Sequence, residues 1–421
     1  MLRSLGPFQP LLLAALFLMT GHGLTSTILS VRLAQMGASA PIAGLMTTAY
    51  FVGMVIGTRL GYLLLRRTGH IRGFAATVTG AAMSILLVPL IPEPMVWLLL
   101  RLFGGICIVL ALLVLESWLN MTADNTSRGS VFGSYMVIAY VGMTAGQALL
   151  GVLDVGSYEA FSIAAVVMLL AVQPLALTTR LQPELPANTR LRLSDLVRIS
   201  PVGIAASVAS GALTGAMFGL FPFYAGAVGL GAGEIALFMS AVIGGGLVLN
   251  WPLGWLSDRV DRRYVVALAA ATVVATSALL MLGERSLAIL VLAGGLMGGV
   301  TGALYSLGVA HTNDNVGGAD AIAVGAGLLL AFGCGAIFGP PLASLAMDFV
   351  AAEALFAYTG LIGAGLLLLT LYRTMARRAV SADDKTSFVS LANTAPASYA
   401  LDPWTKDADD APEGGGPARP L

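Results

Sequence analysis

Residues 254–263 read GWLSDRVDRR, and five of the last six are charged, although Asp, Glu, Lys and Arg make up only 10% of the chain. Two apolar runs, near residues 234–256 and 264–283, flank this stretch. Each run is long enough to cross the bilayer hydrocarbon as an α-helix, which takes about 20 residues. The charged stretch therefore reads as a short polar connection between two membrane-spanning helices.

The rest of the chain repeats this organisation, which indicates an all-α polytopic membrane protein. Of its 421 residues, 57% are hydrophobic, whereas a soluble domain carries roughly a quarter charged residues. Long apolar runs without alternation favour helices over a barrel, and we expect the first run to be an uncleaved span rather than a signal peptide. The runs predict twelve helices, near residues 10–33, 41–65, 73–92, 95–119, 129–153, 158–179, 201–228, 234–256, 264–283, 286–311, 319–347 and 352–374.

The arginines of the connections predict the orientation of the chain. On the side opposite the N-terminus the connections hold Arg32 and Arg285. By the positive-inside rule, both termini are expected in the cytoplasm. The arginines on the N-terminal side are Arg3, Arg66, Arg67, Arg72, Arg128, Arg180, Arg190, Arg192, Arg198, Arg259, Arg262, Arg263, Arg373, Arg377 and Arg378.

The chain divides into four predicted segments. They are an N-terminal six-helix bundle at residues 1–179, a cytoplasmic linker at 180–200, a C-terminal six-helix bundle at 201–378 and a disordered cytoplasmic tail at 379–421. The tail ends DDAPEGGGPARPL, a composition that buries too little apolar surface to fold. The halves share short patterns, SGALTGAM at 210 with TGHGLTST at 20 and NDNVGGA at 313 with ADNTSRG at 123. Their constant offset predicts two pseudo-symmetric bundles that arose by duplication.

The form Gly-x-Leu-Ser-Asp-Arg-x-x-Arg-Arg of residues 254–263 is similar to the loop motif of the major facilitator superfamily, with Asp261 where that family usually has glycine. The resemblance implies a transporter whose aspartate holds the start of a neighbouring helix, here near Arg128, while the arginines engage acids. The alternative is a loop whose arginines only set orientation. In the mirror connection, GYLLLRRTGHIR, Leu65 replaces the aspartate, which implies an asymmetric gate. The implied cytoplasmic gate comprises Gly254, Asp258, Arg259, Arg262, Arg263, Glu116 and Asp314.

Stretches of the first half resemble the YcaD-type branch of this superfamily. They are SVRLAQMG, TTAYFVGMVIGTRLGY, LLLRLFGG, LLVLESWLN and RGSVFGSYMVIAYVGMTAGQ. The resemblance implies alternating access in the inner membrane and supplies no substrate.

Arg101 lies inside the fourth predicted span, where a charge is costly unless it faces a cavity or a partner. We therefore predict a role in substrate binding or coupling, with snorkelling to the headgroups as the alternative. Other polar residues of the spans are candidates to line the cavity, with packing between helices as the alternative for each. These further candidates are His22, Tyr50, Tyr135, Tyr140, Gln147, Thr214, Tyr224, Asn250 and Tyr305.

The resemblance implies a secondary active transporter, and the polar candidates predict a tyrosine-rich cavity for a small, weakly charged organic solute. Some bacterial facilitators of similar layout are associated with vitamin uptake, so the resemblance also suggests uptake of an aromatic vitamin such as riboflavin as a hypothesis. The alternatives are a proton-coupled multidrug or metabolite efflux antiporter and a transporter-like sensor. A coupling proton or sodium ion stays open, since no carboxylate falls near the middle of a predicted span. We expect a monomer in membrane lipid, without cofactor, metal, nucleic-acid partner or enzymatic activity, because no catalytic or phosphate-binding motif occurs.

Overall fold

The computed structural model describes residues 8–123, 128–178, 200–282, 286–315 and 321–376. The predicted linker and tail fall almost entirely outside these ranges, as does Arg285. In chain order the helices are α1 (Gln9–Gln35), α2 (Ala40–Leu87), α3 (Pro94–Thr122), α4 (Arg128–Leu150), α5 (Tyr158–Leu170), α6 (Val172–Ala176), α7 (Pro201–Ala227), α8 (Ala232–Arg259), α9 (Arg262–Leu282), α10 (Leu287–Asn313), α11 (Ala321–Phe349) and α12 (Ala354–Ala376).

The described helices correspond to the twelve predicted spans, but two of the spans fall within a single element, α2. The second and third spans both fall within α2, which bends so sharply that its two arms lie side by side. Gly53 in the first arm faces Leu102 of α3, and Ser84 in the second arm faces Gly104 of the same helix. Gly69 interrupts α2 with a φ of 71°, a left-handed conformation that glycine adopts without a steric penalty. Ten described segments, with α2 as one and Tyr158–Ala176 as another, are long and apolar enough to cross a membrane. The more polar α4, 23 residues long, completes the set.

Glycines allow the first and fourth helices to lie directly on each other. A Cβ at Gly142 of α4 would lie 2.8 Å from the carbonyl oxygen of Leu16 in α1, and a Cβ at Gly146 would meet the backbone of Thr20. The same contact recurs 193 residues later, where Gly335 and Gly339 of α11 press on the backbone of α7. Close approach at small residues is the usual basis of helix association in lipid.

A second pair of contacts repeats in the same manner. Gly53 of α2 faces the backbone of Leu102 in α3, and Gly245 of α8 faces the backbone of Gly295 in α10. Both halves, α1–α6 and α7–α12, therefore hold their central helices by the same backbone contacts at nearly the same offset. This repetition supports the duplication that the sequence patterns predict.

The two halves meet along α1 and α7, α2 and α7, α2 and α11, and α4 and α8. We call the end of the molecule with the connections at residues 36–39, 151–157 and 228–231 the outer end. Near this end the Thr48 hydroxyl donates a hydrogen bond of 2.9 Å to the carbonyl oxygen of Ile337. Gly219 faces the side chain of Thr47, and Gly226 faces Ala34. These contacts join the two halves near the outer end.

Asp261, the residue that departs from the superfamily motif, has a structural role at the start of α9. Its Oδ1 accepts the backbone N–H of Arg263 at 3.0 Å, the geometry of a helix cap, and Arg263 Nη2 donates to Oδ2 at 2.6 Å. Arg263 Nη1 also donates to the carbonyl oxygen of Arg373 in α12 at 3.0 Å. Burial by itself raises the pKa of Asp261, but the hydrogen bonds and charge of Arg263 outweigh it and hold the pKa below the ordinary 3.8.

The glycine contacts generate a stability prediction. We expect Gly211→Ala in α7 to lower the stability of the protein by about 1–3 kcal/mol, because the new Cβ would meet the carbonyl oxygen of Phe332 in α11. Gly244→Ala in α8 is the matched control, since nothing lies within 4 Å of the position that its new Cβ would take. Thermal unfolding of both variants in detergent measures the effect, and equal midpoints would contradict it.

Asp261→Ala is expected to destabilise the protein by about 0.5–2 kcal/mol at neutral pH through loss of the cap. Because the folded-state pKa of Asp261 is depressed, its contribution is present above the unfolded value and is lost as the pH falls through the folded value. The difference from the wild type should therefore shrink below pH 3.8. Unfolding midpoints over a pH series measure this, with the exposed Asp348→Ala as control; a pH-independent difference would argue against the cap.

Candidate functional site

A cavity of about 970 Å³, part of it open to solvent, lies between the two halves. Both halves contribute to it, α1 to α4 on one side and α7, α8 and α10 on the other. Largely apolar walls with a few polar groups are typical of small-molecule sites. The described lining is His22, Ser26, Thr47, Tyr50, Phe51, Met54, Arg101, Met136, Ala139, Tyr140, Met143, Thr214, Met217, Phe218, Gly219, Val242, Ile243, Gly246, Gly298, Thr301 and Gly302.

The first half contributes a cluster of three side chains, Arg101, Tyr50 and His22, which we call the Arg101 cluster. The guanidinium carbon of Arg101 lies 4.6 Å from the ring centroid of Tyr50, a cation–π contact. The Tyr50 hydroxyl is 3.3 Å from Nε2 of His22, and the two rings stack at 5.7 Å. Arg101 Nε is buried and has no hydrogen-bond partner among the described residues.

Close helix packing sets the position of this cluster. One turn after Arg101 in α3, Gly105 lies against the carbonyl oxygen of Tyr50 in α2, with no room for a Cβ. The arginine is thereby held above the tyrosine ring. His22 lies between Gly21 and Gly23 of α1, which face Met168 and Met143 of the same half. The cluster is therefore built on rigid helices rather than on loops.

The second half contributes buried hydrogen-bonding groups to this region. The hydroxyl of Thr301 is buried and has no hydrogen-bond partner among the described residues, and the side chain of Asn250 is buried as well. The Tyr140 hydroxyl of the first half lies near Asn250, and the Tyr140 ring faces Gly246 and Gly302. Unsatisfied buried polar groups are costly, so this wall suits a ligand that donates or accepts hydrogen bonds.

Five of the ten predicted substrate or coupling candidates line the cavity: Arg101, His22, Tyr50, Tyr140 and Thr214. Asn250 lies close by, near Tyr140.

The other four candidates are absent from the described lining because they pack between helices. Tyr135 donates to Glu116 Oε1 at 3.0 Å, and Gln147 donates to the carbonyl oxygen of Gly23 at 2.8 Å. Tyr224 stacks edgewise on Phe356, and Tyr305 on Phe332. The expected tyrosine-rich cavity is therefore corrected to one with two tyrosines.

Methionines were missed by the sequence analysis. Met54, Met136, Met143 and Met217 come from three different elements, two in the first half and one in the second, and together they form much of the apolar wall. In spans rich in apolar residues, no local pattern separates a methionine of the cavity from one that faces lipid.

At the opposite end of the molecule, which we call the inner end, Arg262 is the centre of the charged stretch 254–263. Its side chain is 1% exposed, and its Nε donates to Asp314 Oδ2 at 2.7 Å. Arg262 Nη1 donates to Asp258 Oδ1 at 3.2 Å and to the hydroxyl of Ser257 at 3.0 Å. The structure thus brings together three residues of the implied gate, with α9 joined to the end of α8 and the end of α10. Gly254 is buried beneath them and accepts a hydrogen bond from Ser257.

Other gate residues lie elsewhere than expected. The guanidinium carbon of Arg259 is 3.8 Å above the ring of Trp255, to whose carbonyl oxygen Arg259 also donates. Arg259 therefore contacts an aromatic ring rather than an acid of the kind that the resemblance implies, because it lies on the exposed side of α8. The side chain of Arg128 lies outside the described residues, so the contact of Asp258 with the start of α4 stays a prediction.

Comparison with known proteins gives relatives in enterobacteria. The chain is 25% identical over 349 residues to a protein of Escherichia fergusonii named "Uncharacterized MFS-type transporter YcaD", covering 82% of this chain and 90% of that one. It is equally similar to "Uncharacterized MFS-type transporter YE1530" of Yersinia enterocolitica, with the same coverage.

Among solved structures, the nucleoside transporter NupG matches with a TM-score of 0.72 at 15% identity, over 87% of this chain and 98% of that one. A bacterial homologue of the human lysosomal transporter Spinster, in an inward-facing and occupied conformation, matches with a TM-score of 0.67 at 16% identity, over 89% and 98%. The sequence profile described as Major Facilitator Superfamily matches residues 11–251 and again 202–405. The chain therefore belongs to the Major Facilitator Superfamily, as a multi-pass transporter similar to the YcaD-type proteins of bacteria.

Proposed function

We propose that the protein moves a small organic solute across the bacterial inner membrane by alternating access, with the cavity between the two halves as the solute site. The observation that carries this proposal is that both halves line the cavity and touch each other near its outer end. A site shared by two rigid bundles is exposed to one side or the other when the bundles rock about it.

The two kinds of helix contact support such a motion. Within each half, backbone presses on backbone at glycines, so that α1 with α4 and α7 with α11 behave as single bodies. Between the halves, the contacts near the outer end are those of small side chains and the hydrogen bond of Thr48 with Ile337, which is worth about 1 kcal/mol. Contacts of this strength break and re-form during a transport cycle.

The depth of the cavity in the membrane also suits a solute site that is reached from either side. Arg101 lies seven residues from the start of α3, about 10 Å along the helix axis from the outer end. This position is well inside the hydrocarbon, whose thickness is about 30 Å. Neither the lining nor the relatives support riboflavin in particular, and they favour neither direction of transport.

The first test fills the cavity. Ala139 is 7% exposed and lines it, whereas Val137 on the same helix is 48% exposed and lies outside the described lining. We expect Ala139→Trp to weaken solute binding by about tenfold or more, because the indole occupies the solute volume, and Val137→Trp to leave binding unchanged.

The measurement begins with thermal-shift screening of the purified protein against organic metabolites, because a ligand of the native state raises its unfolding midpoint. Counterflow of a bound compound in proteoliposomes then tests transport. Ligand binding without counterflow would contradict the proposal and indicate a sensor. Equal loss in both tryptophan variants would show that the cavity is not the site.

We propose in addition that the charged cluster at the inner end acts as a gate. Arg262 shares its donors between Asp314, whose side chain is 2% exposed, and Asp258, whose side chain is 39% exposed. The buried pair is suited to hold α9 against α10 permanently. In the pair with Asp258 only the carboxylate reaches solvent, and screening there keeps the contribution of the pair to about 0.2–1 kcal/mol, a strength suited to a contact that opens in every cycle.

Asp258→Asn is therefore expected to reduce turnover by up to about fivefold, the rate equivalent of 1 kcal/mol, while expression and thermal stability stay near the wild type. Asp348→Asn, which removes an exposed carboxylate at the outer end, is the control. Counterflow rates at saturating solute measure the effect. Unchanged transport kinetics in Asp258→Asn would contradict the proposed gate.

A further inference from the structure

We infer that the solute is an amphipathic organic monoanion, of the carboxylate class, whose charged group binds Arg101 and whose apolar body occupies the methionine-lined part of the cavity. The inference rests on the proposed function in one respect, since it takes the cavity between the halves as the solute site. Four observations on the described residues carry it.

The first observation is the incomplete coordination of Arg101. Among the described residues its guanidinium has no ion pair and no hydrogen bond, and its contact is with the face of the Tyr50 ring at 4.6 Å. A guanidinium carries five N–H donors in a planar fork that matches a carboxylate. Inside a membrane helix, a charge without partners is expensive. The donors are therefore available to a ligand that enters the cavity.

The second observation is the charge of the lining. The described lining contains Arg101 and His22 but neither Asp nor Glu. The carboxylate on the same helix, Glu116, lies 15 residues further along α3, at about 22 Å, and accepts the hydroxyl of Tyr135. A neutral solute would leave the arginine uncompensated in a medium of low dielectric constant, whereas an anion compensates it.

The third observation is the composition of the remaining walls. Met54, Met136, Met143 and Met217 surround the cavity together with aromatic rings such as Phe218. Thioether side chains are flexible and polarisable and pack against apolar bodies of different shapes. A small inorganic anion would leave this surface without a contact, so the walls favour an anion that carries a hydrocarbon or aromatic body.

The fourth observation is the direction of the Arg101 side chain. A snorkelling arginine would extend toward the headgroups, but the Nε atom of Arg101 is fully buried and the guanidinium stacks on Tyr50, a residue of the cavity wall. Arg59 of α2 offers the contrast within the same protein. It is exposed, it is absent from the described lining, and it serves as a matched control.

The test compares acids with their neutral isosteres. The probes are a series of aryl and alkyl monocarboxylates of graded size, beginning with 3-phenylpropionate, each paired with its primary amide. Binding is measured by isothermal titration calorimetry on the full-length protein in detergent, for the wild type, Arg101→Gln, Arg101→Lys and Arg59→Gln. We expect the wild type to bind at least one acid and to bind its amide on the order of tenfold more weakly or worse.

The variants should separate charge from structure. Arg101→Gln should lose on the order of tenfold or more in affinity for the acid, Arg101→Lys should retain part of it, and Arg59→Gln should bind as the wild type does. In the absence of probe, Arg101→Gln should unfold at the same temperature as the wild type or at a higher one, because it removes an uncompensated charge. A clear fall in its midpoint would show that the arginine has a structural partner and would overturn the inference.

The inference is also overturned if no carboxylate of the series binds, if acid and amide bind equally, or if Arg101→Gln binds the acid normally. Its failure can be told apart from failure of the proposed function by counterflow in proteoliposomes. Acids that bind through Arg101 but do not exchange would contradict the proposed transport function and support the inferred ligand class. Neutral solutes that exchange independently of Arg101 would support transport and contradict the inferred ligand class.

Discussion

Lipid hydrocarbon offers a peptide group no hydrogen-bond partner, and this constraint underlies the whole structure. Each membrane crossing is therefore a helix, in which the backbone N–H and C=O groups form hydrogen bonds with one another. Because lipid is as apolar as the side chains, neighbouring helices are joined by packing rather than by the hydrophobic effect. Glycines at the contacts of α1 with α4 and of α7 with α11 allow this packing to reach the backbone itself. Two rigid bundles result, with the same contacts at nearly the same offset.

The cavity depends on the difference between contacts within a half and contacts between halves. Where backbone meets backbone, as at Gly105 and Tyr50, side chains are fixed in place. Where the halves face each other around the cavity, a space of about 970 Å³ lies between them, part of it open to solvent. The same glycine contact that unites α2 and α3 positions Arg101 over Tyr50, so the polar cluster is part of the rigid framework.

Two arginines of this protein lie in opposite electrostatic surroundings. Arg262 is 1% exposed and has two carboxylates and a hydroxyl within hydrogen-bond distance. The guanidinium of Arg101 lies on the face of the Tyr50 ring, and the described lining of the cavity around it contains no carboxylate. The charge of Arg262 is compensated by its neighbours, whereas the charge of Arg101 lies beside an open cavity and has no described counterion.

The sequence by itself determined the number of spans, the short charged connection at residues 254–263 and the place of Arg101 inside a helix, because apolar length and isolated charge are local properties. Only the tertiary structure decided which polar side chains face the cavity. Tyr135 and Tyr140 lie little more than one turn apart on α4, yet one pairs with Glu116 and the other lines the cavity. Spans that are apolar on all sides carry little periodicity to mark the inward face. The rotation of each helix is set by its packing against neighbours, which no single stretch encodes.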